Sequence, residues 1–545
     1  MNVLRIVKSV SGKRLMSLVL TVALIATCLL PSAAWAKKEA PLKNIIYFIG
    51  DGMGAGIIAL TRYYSVDILG KELTMTRVMN LGSTAYQNNN AFDFITTDSA
   101  AAGTALATGY KTTNIMIGMT PDGIPRETIL EKAKRLGKSV GVVSTTRLTH
   151  ATPASFVAHV DFRDKEVDIA NQMIASGTDV MMAGGWSFFV PKADKDSKRK
   201  DDRDLMAEAA QMGYTVVKDA AAFRALDVAQ TTKVLGLFNK SHMNYEIDRD
   251  DAKEPSLAEL TQTAINLLSK NDKGFFLMVE GGRIDHAEHV NDAATAVKDT
   301  LAFDKAIEVA MAYSEEDPET LIVVTADHDT AGPTLTQGRP TPADDLEYLS
   351  VPDLKLLGKA TGSFEVKIIP EVKKAKDAAE VKAIVEKVTS IPITDEEAKE
   401  IADLTTPITP ALSIEVFMLT DASFAKLKEA NVPADIIAKL ETMKGKEYEE
   451  RGGFRLALWD VLDEAQSKQY DAILMKVVEK KLVKAAGVSI GRAVADEVSV
   501  AWASRHHTAA TLLLFAVGPY SEYFNGFLEN TDIPKIMADA IRAGY

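Results

Sequence analysis

Short apolar runs rich in β-branched residues alternate with amphipathic helical stretches between residues 44 and 332. The predicted strands cover residues 45–49, 139–144, 275–279 and 321–325, and predicted helices such as 129–136 and 258–268 lie between them. Apolar strands separated by helices are typical of a mostly parallel sheet with helices on both faces. The sequence therefore predicts an α/β, doubly wound fold.

The character of the chain changes between residues 333 and 500. Lys and Glu are dense there, and helix signals replace strand signals. A capping box at 394–397 opens a predicted helix at 398–404, and residues 470–485 carry a periodic apolar face. A predicted strand follows at 512–517. We predict a catalytic core of residues 37–332 and 501–545, interrupted by a large helical insertion at 333–500.

The first 36 residues resemble a secretory signal peptide. Four basic residues precede an apolar run, and Ala34-Trp35-Ala36 has the small-x-small form that signal peptidase cuts. The apolar run is shorter than the roughly 20 residues that span a bilayer, and no later segment is suitable, so we predict no membrane association. We expect an exported protein, either periplasmic or secreted.

Removal of this leader would change the formal net charge from −13 to −17, because the leader holds four basic and no acidic residues. It would also remove Cys28, the only cysteine of the chain. Disulfides then cannot stabilise the mature protein, and stability must come from a large core, bound metals or oligomerisation. So acidic a surface argues against nucleic acid or anionic membranes as partners.

Histidines and acidic residues cluster where predicted strands end. Five of the eight histidines lie within residues 280–289, 326–328 and 505–508. Carboxylates and neutral imidazoles are the ligands that ions such as Zn²⁺ prefer. Because parallel strands end at one edge of a sheet, candidate ligands that follow strands should meet there. These candidates are Asp51, Glu280, Asp327 and His328.

Further candidates come from other segments. Asp285 and His289 are four residues apart, so they share one face if their segment is helical, and His507 supplies another imidazole. Ser99 begins a run of small residues, where it is either an N-cap or a metal-activated nucleophile. Arg163 is either part of a surface ion pair or a bidentate phosphate clamp.

Two other patterns are interpreted as structural rather than functional. Residues 50–55 imitate a dinucleotide-binding motif, but Asp51 would repel a pyrophosphate, so we interpret the glycines as a tight turn. We assign His159, His242 and His506 to structural roles.

Six motifs resemble those of the alkaline phosphatase family in their order and spacing. They lie at residues 51–54, 98–100, 150–153, 280–289, 326–328 and 507–508. The resemblance implies an alkaline phosphatase-like fold, with residues 333–500 in the position of the family's crown insertion. It also implies a homodimer that hydrolyses phosphate monoesters through a phosphoserine, releasing inorganic phosphate and an alcohol.

The resemblance implies two zinc ions and one magnesium ion. The implied first zinc set is Asp285, His289 and His507, the second is Asp51, Asp327 and His328, and the magnesium set is Asp51, Thr152 and Glu280 with His150 beside it. Ser99 would be the nucleophile, Arg163 the phosphate clamp and His286 a substrate contact.

The chain departs from the enterobacterial pattern at His150 and His286, where those enzymes have aspartate and lysine. Because imidazole prefers softer ions, we expect that zinc or cobalt can replace magnesium in the third site. Asn239 replaces one carboxylate of the calcium site of animal members, so no calcium is predicted.

The sequence is less consistent with three alternative functions. A phosphodiesterase of the same superfamily is the nearest, but Arg163 and the third metal set favour monoesters, because both accommodate a doubly charged phosphoryl group. A non-catalytic phosphate- or metal-binding protein would need Ser99 to be only an N-cap. A sulfatase is disfavoured because the C-x-P-x-R motif is absent.

Overall fold

A computed structural model describes residues 42–336, 353–405, 415–449, 453–482 and 486–543. The predicted signal peptide lies outside these ranges. The strands are β1 (Asn44–Gly50), β2 (Ser83–Asn88), β3 (Ser139–Arg147), β4 (Val180–Gly184), β5 (Thr215–Val217), β6 (Val234–Leu237), β7 (Phe275–Gly281), β8 (Thr320–Ala326), β9 (Asp329–Thr330), β10 (Pro333–Leu335), β11 (Glu415–Met418), β12 (Tyr448–Glu449), β13 (Glu479–Leu482), β14 (Val500–Trp502), β15 (His507–Thr508), β16 (Leu512–Val517) and β17 (Gly526–Glu529).

The α-helices are α1 (Ala55–Leu69), α2 (Thr74–Leu81), α3 (Ser99–Thr108), α4 (Ile129–Arg135), α5 (Ala151–Ala154), α6 (Glu166–Ser176), α7 (Leu205–Gln211), α8 (Ala220–Arg224), α9 (Leu257–Leu268), α10 (Arg283–His289), α11 (Ala293–Glu316), α12 (Ile369–Val372), α13 (Ala378–Thr389), α14 (Asp395–Thr405), α15 (Asp421–Glu429), α16 (Ala434–Glu441), α17 (Gly453–Val461), α18 (Glu464–Val477), α19 (Ala486–Val498) and α20 (Asp532–Ala543). Short 3₁₀ or π turns lie at Trp186–Phe188, Leu354–Lys359, Phe364–Ile368 and Ser521–Tyr523.

A ten-stranded sheet organises the chain, in the order β17-β2-β16-β8-β1-β7-β3-β4-β6-β5. Only β16 runs antiparallel to its neighbours in this sheet, and the other neighbouring pairs are parallel. The central strands β1, β7 and β8 are buried along their whole length, which explains why they are continuous apolar runs in the sequence. The predicted mostly parallel α/β fold is confirmed.

Helices cover both faces of this sheet, and β1 illustrates how. Ile46 and Phe48 belong to one hydrophobic cluster, together with residues of α1, α9 and α11. Ile45, Tyr47 and Ile49 belong to a second cluster, with residues of α3, α4, α6 and α20. Because successive side chains of a strand point to opposite faces, the sheet separates two cores.

The segment between residues 333 and 500 is mostly helical where it is described, but it also contains the three-stranded sheet β12-β11-β13. The predicted helix at 398–404 is confirmed within α14, with the reciprocal Thr394–Glu397 hydrogen bonds of a capping box. The helix predicted for 470–485 is confirmed as far as Val477 in α18 and is wrong for residues 479–482, which form β13, whereas 483–485 lie outside the described ranges. Residues of β13 pair with β11 instead, so tertiary pairing overrides the helical periodicity.

This segment packs in two ways. Side chains of α13 and α19 join the same cluster as α1 and α11, whereas residues 419–478 form a cluster of their own. The strands β10 and β14 pair antiparallel where the segment leaves and returns. The boundaries at 332 and 501 stay a prediction. Among the described helices, none has both the length and the apolarity that a membrane span requires.

Candidate active site

Four acidic and imidazole side chains meet at the carboxyl ends of the central strands. Asp51 follows β1, Glu280 lies near the end of β7, and Asp327 with His328 follows β8. The three strands β1, β7 and β8 end at the same height in the sheet, because Gly50 pairs with Gly281 on one side and with Ala326 on the other. All four side chains are buried. The expected convergence at one sheet edge is therefore present.

Two further elements bring Asp285, His289 and His507 to the same edge. Asp285 and His289 lie one turn apart on α10, with His289 Nε2 3.2 Å from Asp285 Oδ1. The short strand β15 pairs with β9, directly after β8, and places His507 opposite Thr330. His507 Nε2 is then 3.6 Å from Asp285 Oδ1.

Three groups of side chains can each hold a metal ion, because their ligand atoms lie within 4.8 Å of one another. The groups are Asp285 with His289 and His507, Asp51 with Asp327 and His328, and Asp51 with His150 and Glu280. Asp51 belongs to two groups. Thr152 is buried in the short helix α5, close along the chain to His150.

Hydrogen bonds to the Nδ1 atoms orient the imidazoles. His289 Nδ1 is 2.7 Å from the Arg505 carbonyl oxygen, and His507 Nδ1 is 2.7 Å from that of Thr97. His328 Nδ1 is 3.1 Å from Thr330 Oγ1, whose own proton is donated to Asp285. Since each of these oxygens can accept, Nδ1 carries a proton, and Nε2 is the nitrogen that faces the site and could bind an ion.

Ser99 is the first residue of α3, and Asp98 is its N-cap. Asp98 Oδ1 accepts a hydrogen bond of 2.9 Å from Ala101 N. The interpretation of Ser99 as only an N-cap is therefore wrong. Ser99 Oγ instead lies 3.2 Å from Nε2 of His328, which belongs to the group with Asp51 and Asp327.

Arg163 lies beside Ser99 and is held from two directions. Its Nη1 donates to Asp98 Oδ2 over 2.9 Å, and its Nη2 is 3.2 Å from His150 Nε2. Burial lowers the pKa of this guanidinium, but Asp98 outweighs that effect and the pKa is raised. Asp98 thus caps α3 and anchors Arg163 with its two oxygens. The exposed surface-pair interpretation of Arg163 does not fit this arrangement.

Part of this site lines an open cavity of about 320 Å³. Its wall includes Ser99, Arg163, His289 and His507. His286 is not in that wall. Its ring lies 4.4 Å from that of His242 and 5.6 Å from that of His150, and its Nδ1 is 2.8 Å from Arg283 Nη1.

Comparison with known proteins gives the family. The sequence profile of the family described as "Alkaline phosphatase" matches residues 42–397. Alkaline phosphatase 4 of Bacillus subtilis is 30 % identical over 94 % of this chain and 92 % of its own length. The repressible alkaline phosphatase of Saccharomyces cerevisiae is 38 % identical over 59 % of this chain, which spans 60 % of the yeast protein. The chain belongs to the alkaline phosphatase family.

Solved structures agree with this membership. The crystal structure of Thermus thermophilus alkaline phosphatase has a TM-score of 0.70 and 28 % identity, covering 95 % of this chain and 96 % of that one. The cold-active alkaline phosphatase of a Shewanella species has a TM-score of 0.65 and 26 % identity, covering 91 % and 99 %. The predicted family, fold and enzyme class, a metal-dependent phosphomonoesterase, are confirmed at the level of the family.

Metal dependence in this family matches the electrostatics of the site. Burial, helped by Asp285, raises the pKa of Asp327 to about 7. Burial also raises the pKa of Glu280 to about 7, although the hydroxyls of Ser144 and Thr146 oppose the shift. Burial alone would raise the pKa of Asp285, but His289 and His507 outweigh it. So many buried carboxylates in contact require cations if they are to be ionised together.

Proposed function

We propose that this chain is an exported alkaline phosphatase of broad specificity, which hydrolyses phosphate monoesters through a phosphoserine at Ser99. The observation that carries the proposal is the position of Ser99 Oγ, 3.2 Å from His328 Nε2, among three groups of potential metal ligands. A hydroxyl in that position can be activated by bound ions without a neighbouring base.

The proposed cofactors are two zinc ions and one magnesium ion. Neither oxygen of Asp51, nor Asp327 Oδ2, nor Glu280 Oε1 accepts a hydrogen bond from any residue in the described ranges. Buried carboxylate oxygens without donors fit the ligand role, since they otherwise carry an uncompensated desolvation cost. The ligands would be those that the family resemblance implies, with Thr152 completing the magnesium set.

When bound, these ions would supply Lewis-acid stabilisation of the developing negative charge and lower the pKa of bound hydroxyl groups. The side chains of the protein account for the other steps. The planar guanidinium of Arg163 holds two phosphoryl oxygens, and Asp98 fixes its orientation. Ser99 Oγ attacks phosphorus in line as the bond to the ester oxygen breaks. Water then hydrolyses the phosphoserine, which regenerates the Ser99 hydroxyl and releases phosphate.

Charge supports the need for cations. The whole chain has a formal net charge of −13, and the site itself holds Asp51, Glu280, Asp285 and Asp327. Arg163 alone cannot offset these carboxylates for a dianionic substrate. Divalent ions held by these carboxylates would invert the local field, which rather than the net charge would decide what enters the cavity.

The test compares p-nitrophenyl phosphate with bis(p-nitrophenyl) phosphate, each with and without a chelator. We expect turnover of the monoester only, loss of turnover with chelator, and recovery with zinc and magnesium. Ser99→Ala should abolish the phosphoserine that is trapped at low pH. Ser314→Ala should retain it, because Ser314 lies near the C-terminal end of α11, donates its hydroxyl to the Met311 carbonyl oxygen and does not line the cavity. Preferred hydrolysis of the diester, or full activity of Ser99→Ala, would overturn the proposal.

We also propose the remaining arrangement predicted from the sequence. Residues 1–36 would be removed on export, the core would comprise 37–332 and 501–545, and the enzyme would be a homodimer. Pairing of β10 with β14 supports the insertion boundaries, because it closes the segment where it leaves and returns. A mature amino terminus at Lys37 and a two-chain mass by light scattering are the expected results.

A further inference from the structure

A second cavity of about 320 Å³ adjoins the cavity that holds Ser99 and Arg163. Asn114 and Ile115 line both cavities, so the two share a wall. The second cavity is lined on one side by residues of the predicted core, such as Phe94 and Phe162, and on the other by α17 and α18 of the insertion. A volume of this size suits a small organic ligand.

The shared wall has an unusual backbone at Ile115. Its φ is +73°, in the left-handed region that a β-branched residue rarely adopts. The Ile115 carbonyl oxygen accepts a hydrogen bond of 2.7 Å from the backbone N–H of Arg163. Such local strain is maintained at functional sites when the surroundings fix it. Ile115 therefore ties the proposed phosphate clamp to the wall of the second cavity.

The insertion contributes an aromatic wall through Trp459. The Trp459 ring meets Phe162 at 60° with 5.8 Å between ring centroids, and Lys165 Nζ lies 4.3 Å from the Trp459 centroid. Phe162 directly precedes Arg163 in the chain. The aromatic surface of the second cavity is thus immediately next to the residue that would hold the phosphoryl group.

Ser467 on α18 gives independent evidence for a ligand. Its side chain lines the second cavity and is only 3 % exposed, yet Oγ has no hydrogen-bond partner among the described residues. A buried hydroxyl without a partner is destabilising, so its presence requires an explanation such as a missing ligand. A ligand with a hydrogen-bonding group at this point would satisfy it.

Both cations that line the second cavity, Arg455 and Lys468, are paired with carboxylates. Asp161 pairs with Lys165 over 2.7 Å, and Arg455 pairs with Asp471 over 3.1 Å. Lys468 pairs with Glu464 over 2.9 Å, and the exposed Asp93 adds one further negative charge. The cavity therefore offers no unpaired lining cation to an anionic group and is better suited to a neutral group that combines an aromatic face with polar edges. We propose that it binds the leaving group of the phosphate monoester, and that its fitting class is a neutral heteroaromatic alcohol, that is, a nucleoside. This inference rests on the proposed phosphatase function.

The test uses two primary alkyl phosphates with similar intrinsic reactivity, adenosine 5′-monophosphate and glycerol 1-phosphate. Base stacking on an aromatic side chain contributes enough affinity that Trp459→Ala should lower kcat/KM for the nucleotide roughly tenfold. The same variant should change kcat/KM for glycerol phosphate less than about twofold, because glycerol cannot stack. Ser467→Ala should also lower the preference for the nucleotide without lowering stability, since the hydroxyl it removes has no partner.

Phe527→Ala is the matched control, because Phe527 is an exposed aromatic on strand β17, outside the walls of both cavities. It should leave both substrates unaffected. Equal losses for both substrates in Trp459→Ala, with a raised inhibition constant for inorganic phosphate, would mean that Trp459 only positions Arg163, and would overturn the inference. An unchanged preference in both Trp459→Ala and Ser467→Ala would overturn it too. Failure of the wild type to hydrolyse either ester would instead refute the proposed phosphatase function.

Discussion

Gly52 is the position where one added methyl group should do most damage to the site. It follows Asp51, has φ +76°, and donates its N–H to Asp327 Oδ1 over 3.1 Å. A Cβ at this position would lie 2.8 Å from the Asp285 Cα and 2.9 Å from Glu288 Oε2. Because the first of these atoms is backbone, Gly52→Ala must displace α10, which carries Asp285 and His289.

The expected cost has two parts. A left-handed conformation costs a non-glycine residue roughly 1–2 kcal/mol. Overpacking against a backbone that cannot rotate away adds roughly 1–3 kcal/mol. We therefore expect Gly52→Ala to lower the free energy of unfolding by about 2–5 kcal/mol. Displacement of one ligand set relative to Ser99 should also lower kcat roughly a hundredfold.

The control variant Gly70→Ala separates the conformational cost from the overpacking cost. Gly70 ends α1 with φ +67°, and an added Cβ would have no atom within 4 Å. Gly70→Ala should therefore cost only about 1–2 kcal/mol and leave kcat unchanged. Urea unfolding in excess zinc and magnesium, with p-nitrophenyl phosphate turnover, measures both quantities. The reasoning would be refuted if Gly52→Ala and Gly70→Ala lowered the free energy of unfolding equally and Gly52→Ala kept the wild-type kcat. Close packing of Gly52 on α10 would then not be what positions Asp285 and His289.

Three further outcomes are expected. Since burial raises the pKa values of Asp327 and Glu280 to about 7, these two carboxyl groups bind more protons in the native metal-free protein than in the unfolded chain. Their contribution to the free energy of unfolding should therefore fall as pH rises from about 4.5 to 7.5 and level off above that; urea unfolding of the chelated protein, compared with that of Asp327→Asn, checks this sign. His150→Asp should sharpen magnesium dependence, because a carboxylate suits Mg²⁺ better than imidazole does; an unchanged response to magnesium, zinc and cobalt would contradict it. Arg163→Ala should raise both KM and the inhibition constant of inorganic phosphate roughly tenfold to a hundredfold, as inhibition kinetics would measure.

The central strands could be predicted because burial on both faces makes them continuous apolar runs. The predicted strands at 45–49, 139–144, 275–279 and 321–325 lie within β1, β3, β7 and β8. The strand β2 gave no such signal, because its sequence is polar and its side chains alternate between buried and exposed. Its place in the sheet depends on pairing with β16, more than 400 residues later in the chain.

The convergence of the candidate ligand groups could be predicted because most of their side chains follow strands, in motifs that resemble a known family. The hydrogen bonds that orient the His507 and His289 imidazoles could not be predicted. Their acceptors are the carbonyl oxygens of Thr97 and Arg505, which are backbone atoms with no side-chain signature. Asp98 received no defined role from the sequence, because its second contact, with Arg163, depends on tertiary structure. The approach of Trp459 to Phe162 likewise joins segments far apart in the chain.

The pairing of β15 with β9 has a consequence for biosynthesis. His507 completes the Asp285 and His289 group only when β15 has added to β9, beside the end of β8. The ribosome must therefore have synthesised the chain as far as Thr508 before this group of three side chains can assemble. A nascent chain that ends before β15 has Asp285 and His289 but lacks His507, so the ion proposed for this group would have to bind after β15 has been synthesised and paired with β9.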